Sequence, residues 1–222
     1  MAPPETYIPA EYLMRCGVDE STLSRISILG DLRADILEAS VKTNLTRITG
    51  VESYWINHIA DSLSIGLYFP ELMTGNLSVV DVGCGGGFPI LPLAWANPKL
   101  VITGLERRGK KTDFVRTEAM KLGLDNVSVV HAQAREHDCQ YDCVLMRAVG
   151  KAWEMVRETR SLVGPGGKII YYKTPASIDE DLPLVKREAD KYSMEVSVTD
   201  TFELPGGAKR CFLVLSNDER TA

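Results

Sequence analysis

Val79-Val80-Asp81-Val82-Gly83-Cys84-Gly85-Gly86-Gly87-Phe88-Pro89-Ile90-Leu91-Pro92-Leu93-Ala94 decides the fold of this chain. A β-branched run ends in an acid, passes through a cluster of glycines and enters an apolar helix start. That order predicts a strand, a tight turn and a helix, with the turn at the carboxyl edge of a parallel sheet, where open α/β sheets bind ligands. Downstream, β-rich runs at 100–105, 127–130, 141–146 and 168–172 alternate with helical segments, so with 77–82 they predict a parallel sheet with crossover helices. Residues 194–198 and 210–215 are strand-like and joined by a loop holding Pro205-Gly206-Gly207, which predicts a closing antiparallel hairpin. Upstream, Leu23, Ile26, Leu29, Leu32, Ile36 and Leu37 recur every three or four residues over 19–40, with Asp19 or Ser21 as cap. Trp55, Ile59, Leu63 and Leu67 predict a second helix over 51–68. The expected fold is α/β and Rossmann-like, a mostly parallel sheet with a C-terminal antiparallel hairpin, preceded by N-terminal helices. The expected division is a helical extension over 1–75 and a ligand-binding domain over 76–222 that forms one compact unit.

The chain has 222 residues, 45% hydrophobic and 25% charged, as in ordinary globular proteins. No apolar run reaches the roughly 18 residues that span a bilayer, and Met1-Ala2-Pro3-Pro4-Glu5-Thr6 lacks the pattern of a secretory leader, so a cytoplasmic protein without a membrane partner is expected. Five scattered cysteines predict reduced thiols rather than a disulfide framework. The net charge of −5 argues against a globally basic nucleic-acid binder, yet charge is polarised. Residues 1–40 carry seven acids and three bases, whereas 81–120 carry four acids and six bases. Arg107, Arg108, Lys110 and Lys111 form a cluster able to face a phosphate backbone; the competing reading is a solvated helix start.

Glycines at the turn let backbone N–H groups approach a ligand. A dinucleotide fingerprint counted from Gly83 needs its third glycine at 88, which is Phe. Asp81 would repel a diphosphate but can accept from an ammonium group. Glu106 ends the second strand 23 positions after Gly83, near the distance at which an acid holds a ribose diol. Together these favour S-adenosylmethionine, which offers an ammonium, a sulfonium and a ribose, and hence a class I methyltransferase fold.

Asn44-Leu45-Thr46, His58-x-x-Asp61-Ser62-Leu63, the Asp81 to Pro89 turn, Lys110-Lys111 with Phe114, Arg147-Ala148, Pro165-Gly166-Gly167, Lys173 and Arg210 with its apolar strand resemble the bacterial small-subunit ribosomal RNA guanine-N7 methyltransferases, also called glucose-inhibited division protein B. The resemblance covers most of residues 40–216. It implies cofactor contacts at Gly83, Phe88, Ala134, Arg135 and Arg147, beside Asp81, Gly85 and Glu106 from the reading above. It also implies methylation of N7 of a guanine in 16S ribosomal RNA, with that RNA or the small subunit as partner. A monomer is expected. The chain departs from the family pattern at Arg135, where an acid is usual and Glu136 follows, and at Thr174, where glycine usually follows the lysine.

Guanine N7 has a lone pair and no proton, so no general base and no metal are expected. Arg147, ending the fourth strand, is expected to position substrate or cofactor and to serve the reaction more than the stability of the fold. His58 and Asp61 lie three apart, a spacing that suits an acid–base pair or metal ligation, but anchoring the N-terminal helices to the glycine turn is the favoured reading. Cys139 and Cys143 read as core cysteines. Three rival functions stay open: a methyltransferase for a small molecule or protein, a non-catalytic RNA-binding factor that retains the fold, and an NAD-dependent oxidoreductase, which Phe88 disfavours.

Overall fold

A computed structural model describes residues 7–217 of the chain. Residues 1–6, read above as lacking a leader, and the last five residues of the expected 76–222 domain lie outside the described residues. The chain runs α1 (Ala10–Arg15), α2 (Glu20–Leu23), α3 (Ser27–Thr43), α4 (Val51–Tyr54), α5 (Asp61–Leu63), α6 (Glu71–Thr74), β1 (Ser78–Val82), α7 (Ile90–Ala96), β2 (Val101–Leu105), α8 (Gly109–Lys121), β3 (Val127–Val130), β4 (Tyr141–Arg147), α9 (Ala152–Thr159), β5 (Val163–Lys173), α10 (Pro175–Asp190), β6 (Met194–Val198), β7 (Phe202–Glu203) and β8 (Lys209–Asn217).

The sheet order is β3-β2-β1-β4-β5-β8-β6, with β7 paired to the start of β8. Strands β1 to β5 pair in parallel, and β8 runs antiparallel between β5 and β6. The hairpin foreseen at the C-terminus therefore puts its second strand inside the sheet and its first at the edge. The central strands are apolar on both sides because helices cover both faces. Alternation along them sorts the core in two. Val79, Ile102, Leu145, Ile170 and Phe212 face the N-terminal helices, α7 and α8, while Val80, Val144, Met146, Ile169 and Leu213 face α9 and α10. Ile8, Leu13, Leu29 and Ile59 belong to the same buried cluster as Val79 and Leu145.

The helices differ from the expectation in two places. The stretch predicted as one helix over 19–40 is broken. Asp19 caps α2 through the Thr22 N–H (2.8 Å) and hydroxyl (2.9 Å), and tight turns closed by Arg25 N to Thr22 O and Ile26 N to Leu23 O intervene before α3. The apolar stripe survives the break, with Leu29, Leu32 and Ile36 fully buried. The second helix, over 51–67, is continuous but passes through a π-helical stretch (Trp55–Ala60) and ends in a 3₁₀ turn (Ser64–Leu67). The wide turn changes the angular spacing of the residues it contains, and π-turns are frequent at functional sites. Strand β5 is also longer than predicted. It starts at Val163, which pairs with Tyr141, and Gly167 lies so close under β4 that a Cβ there would stand 2.9 Å from the Tyr141 carbonyl oxygen.

Candidate active site

The glycine turn follows β1 as predicted. The Gly83 and Cys84 N–H groups both donate to the Leu105 carbonyl (2.7 and 3.2 Å), which pins the turn to the end of β2. Gly83 has φ +78°, and a Cβ there would press on Val149 at 2.8 Å. At Gly87, φ +91°, it would meet Leu91 at 2.5 Å. A side chain at either position is thus strained by conformation, and Val149 or Leu91 would have to shift to admit it. The turn forms the floor of a cavity of about 830 Å³ at the carboxyl edge of the sheet.

Most of the residues singled out from the sequence meet at this cavity. Gly83, Gly85, Phe88, Glu106, Ala134, Arg135 and Arg147 line it, as do Arg107, Arg108 and Lys111. The Glu106 carboxylate is fixed by two backbone donors, Gly85 N to Oε2 (3.2 Å) and Arg108 N to Oε1 (2.9 Å), and each oxygen keeps a lone pair for a ligand. Two expected residues stand elsewhere. Lys110 points to solvent away from the lining, since it is a helix position on from the residues that face inward. Asp81 sits behind the wall, 1% exposed, and its Oδ2 has no hydrogen-bond partner among the described residues. Burial raises its pKa well above the carboxylate range, with Glu106 adding to the effect and Arg147 opposing it.

The two departures from the family pattern take definite shapes. Glu136 turns back to receive the Gln133 N–H (3.1 Å) instead of lining the cavity, so exposed Arg135 is the charged residue at that wall. Thr174 caps α10 by accepting from Ser177 N (3.3 Å), with Pro175 in the first helical turn.

Arg147 differs from its expected role as a ligand-facing arginine with little part in stability. Its NH1 donates to the Asn57 carbonyl (3.0 Å) and to Asp61 Oδ2 (2.9 Å), its NH2 to His58 Nδ1 (3.1 Å), and it lies 5.6 Å from the centre of the Phe88 ring. Asp61 Oδ1 accepts in turn from Arg210 Nε (2.8 Å). His58 stacks on Phe88 with ring centroids 4.2 Å apart and planes 2° from parallel. The favoured reading of His58 and Asp61 as anchors between the N-terminal helices and the glycine turn therefore agrees with their contacts. Arg147 is part of that anchor as well as of the cavity wall, because the π turn aims three groups of one helix at one guanidinium.

Arg147 gives its proton to Nδ1, so the His58 ring carries its own on Nε2 and donates to the Thr46 hydroxyl (2.8 Å). Burial first, and the facing Arg147 charge second, push the His58 pKa down to about 3. A histidine held neutral in the fold and titrating near 6.5 when unfolded adds stability that is complete above pH 6.5 and is lost as pH falls toward 3, at up to about 1.4 kcal/mol per pH unit. We expect the His58 ring resonances to stay unprotonated down to pH 5 in an NMR titration; a midpoint near 6.5 would show the ring to be solvated.

Cys139 and Cys143 part company. Cys143 is buried in β4, whereas Cys139 is exposed because it lies in the irregular approach to that strand. Among the described residues all five cysteines are free, and no group of three or more His, Cys, Asp or Glu side chains is placed to hold a metal. The sequence reading missed Arg47, Thr46, Glu154 and Glu158, which also line the cavity. Asn44-Leu45-Thr46 carried a signal without a role; the acids of α9 carried none.

The model of the family described as rRNA small subunit methyltransferase G matches residues 25–204. A ribosomal RNA small subunit methyltransferase G of Lactobacillus delbrueckii subsp. bulgaricus is 32% identical over 187 residues, 82% of this chain and 78% of the relative. One of Microcystis aeruginosa is 37% identical over 177 residues, 75% and 77% of the two chains. Among solved structures, precorrin-6y C5,15-methyltransferase of Geobacter metallireducens superposes with a TM-score of 0.51 at 17% identity, covering 70% of this chain and 88% of its own, which shows a shared fold.

Proposed function

The chain belongs to the rRNA small subunit methyltransferase G family, and from that premise we propose that it transfers a methyl group from S-adenosylmethionine to N7 of a guanine in 16S ribosomal RNA. The observation that carries this reading is the cavity that combines the glycine floor, the Glu106 carboxylate and a basic rim. The residues suit the donor. Glu106 has free lone pairs for a ribose diol, Ala134 and Leu105 give an apolar wall for an adenine, and a floor without side chains admits close approach.

The donor supplies an electrophilic methyl group on a sulfonium. The guanine N7 lone pair forms the new bond to carbon as the carbon–sulfur bond breaks, the electron pair stays on sulfur, and no proton is lost. The protein's task is alignment, which supplies about 7–11 kcal/mol in well-oriented reactions. Phe88 and His58 hold the wall beside the glycine turn, and Arg147, locked by three acceptors on the 51–67 helix, holds the far side.

We assign Arg107, Arg108, Lys110 and Lys111 to the RNA backbone, supported by the place of Arg107, Arg108 and Lys111 in the cavity lining and by the exposure of Lys110 beside them. Replacing all four by alanine should flatten the salt dependence of RNA affinity by about one unit of slope for each phosphate that is no longer neutralised. Because three of them also line the cavity, donor affinity should fall too, while Lys110→Ala alone should alter only RNA binding. An unchanged salt slope would mark the cluster as solvated surface. The further readings are a monomer, since one chain completes the cavity, and a cytoplasmic location, consistent with five free cysteines; no helix among the described residues is long and apolar enough to cross a membrane. The 1–75 segment serves as a helical extension of the 76–222 methyltransferase domain. Calorimetry tests the cofactor reading: S-adenosylmethionine or its demethylated product should bind, and tight binding of NAD without either would refute it.

A further inference from the structure

A second cavity, of about 330 Å³, opens at the carboxyl ends of β4, β5 and the start of β8. It shares residues 147–150 with the large cavity, so the two are separated by the turn after Arg147. That turn is unusual in having two left-handed residues, Ala148 (φ +57°) and Gly150 (φ +46°), with Val149 between them against Gly83.

The polar lining of the second cavity is rich in donors. Asp61 is the only carboxylate among its described lining residues, and each of its oxygens already holds a guanidinium, one Arg210 and one Arg147. Lys173 Nζ gives one proton to Asp181 at 2.6 Å and keeps two. Arg210 uses Nε on Asp61 and NH1 on the Lys209 carbonyl, which leaves NH2 available. The Ser177 hydroxyl is committed to the Thr174 backbone. The side chains of Lys173 and Arg210 are only 15% and 20% exposed, so their spare protons face a partly dry space.

A space that offers donors and whose one carboxylate is already paired with two guanidinium groups selects among bases. On the edge that carries N7, guanine presents two acceptors, N7 and O6, whereas adenine replaces O6 with an amino donor. A donor placed on N7 would occupy the lone pair that has to attack, so recognition must fall on O6. We propose that this second cavity is the acceptor-base subsite, that Lys173 is the residue that reads guanine O6, and that N7 meets the methyl group past the 148–150 turn. The inference rests on the function proposed above and adds where the base sits and what excludes adenine. Lys173 suits the role because a cation already paired with Asp181 reads the oxygen without adding an uncompensated charge beside a product that becomes cationic.

The test is a specificity cycle. After the methylated position has been mapped, transfer of labelled methyl is timed in single turnovers on small-subunit RNA carrying guanine, inosine or 2-aminopurine there. Inosine keeps O6 and N7, and 2-aminopurine keeps N7 alone. The parental protein should accept inosine within a few-fold of guanine and 2-aminopurine about ten- to a hundredfold more slowly. Lys173→Met should slow guanine and inosine by that same factor while leaving 2-aminopurine nearly unchanged, so that discrimination collapses; Lys173→Arg, which keeps a donor, should restore most of it. Binding of the demethylated donor by Lys173→Met, measured by calorimetry, should match the parent and shows that the variant is folded. Equal slowing on all three RNAs, or a loss of donor binding with the charge, would overturn the assignment while leaving the methyltransferase reading intact. A parental protein that binds the donor yet modifies none of the three RNAs would overturn that reading, and the subsite with it.

Discussion

Asp61→Ala should destabilise the protein by about 3–5 kcal/mol, the usual consequence of taking one partner from a buried ion pair. Asp61 is 6% exposed, and its two oxygens each hold a guanidinium, Arg147 from the end of β4 and Arg210 from the start of β8. Without the carboxylate, two positive side chains remain close together with little access to water. Arg147→Ala is milder, because Asp61 keeps Arg210, but it still costs stability as well as activity and so departs from a purely ligand-facing arginine. Asp61→Asn should fall between parent and alanine, since an amide can accept from one guanidinium only and carries no charge. Thermal melts of the three variants check the order. Equal melting temperatures for Asp61→Ala and parent would show that the arginines find other partners or water.

Gly66→Ala should be comparably severe, at about 3 kcal/mol or more, for a reason unrelated to charge. A Cβ at this position would overlap the Cys16 carbonyl oxygen and lie 2.6 Å from Met73 Cγ. The methionine can move; the carbonyl belongs to the chain that leaves α1 and cannot. Relief requires the 3₁₀ turn to part from α1, which opens the packing of Leu13 and Cys16, both buried. Gly123 is the control, having φ +64° and nothing within 4 Å, so alanine there should cost only about 1 kcal/mol from backbone strain. Urea titration of both variants checks this, and a Gly66→Ala protein as stable as Gly123→Ala would show that the turn repacks freely.

The strands were readable because a parallel sheet covered on both faces writes each strand as a short apolar run, and 127–130 and 194–198 coincide with the observed β3 and β6. Helix interruptions were not readable. The stripe over 19–40 keeps its period across the break at Ser24 to Ile26, so periodicity alone cannot reveal that Asp19 starts a separate short helix. The π turn at Trp55–Ala60 likewise leaves no mark in the four-residue spacing of Trp55, Ile59, Leu63 and Leu67. The glycine turn, Glu106 and most of the basic cluster were legible because each is contiguous in sequence with the edge it occupies. The Asp61 bridge was not, since its partners lie 86 and 149 positions away. Asp81 shows the opposite failure: an acid at a strand end reads as a ligand contact, yet its side chain follows the strand's alternation into the interior.

Transfer of labelled methyl from S-adenosylmethionine to small-subunit ribosomal RNA, followed by nucleoside analysis, tests the central claim most directly. The proposed function predicts label in N7-methylguanosine, at a rate that falls with Arg147→Ala and with removal of the basic cluster. Donor binding without any transfer to ribosomal RNA, or label appearing in another nucleoside, a protein or a small molecule, would contradict it.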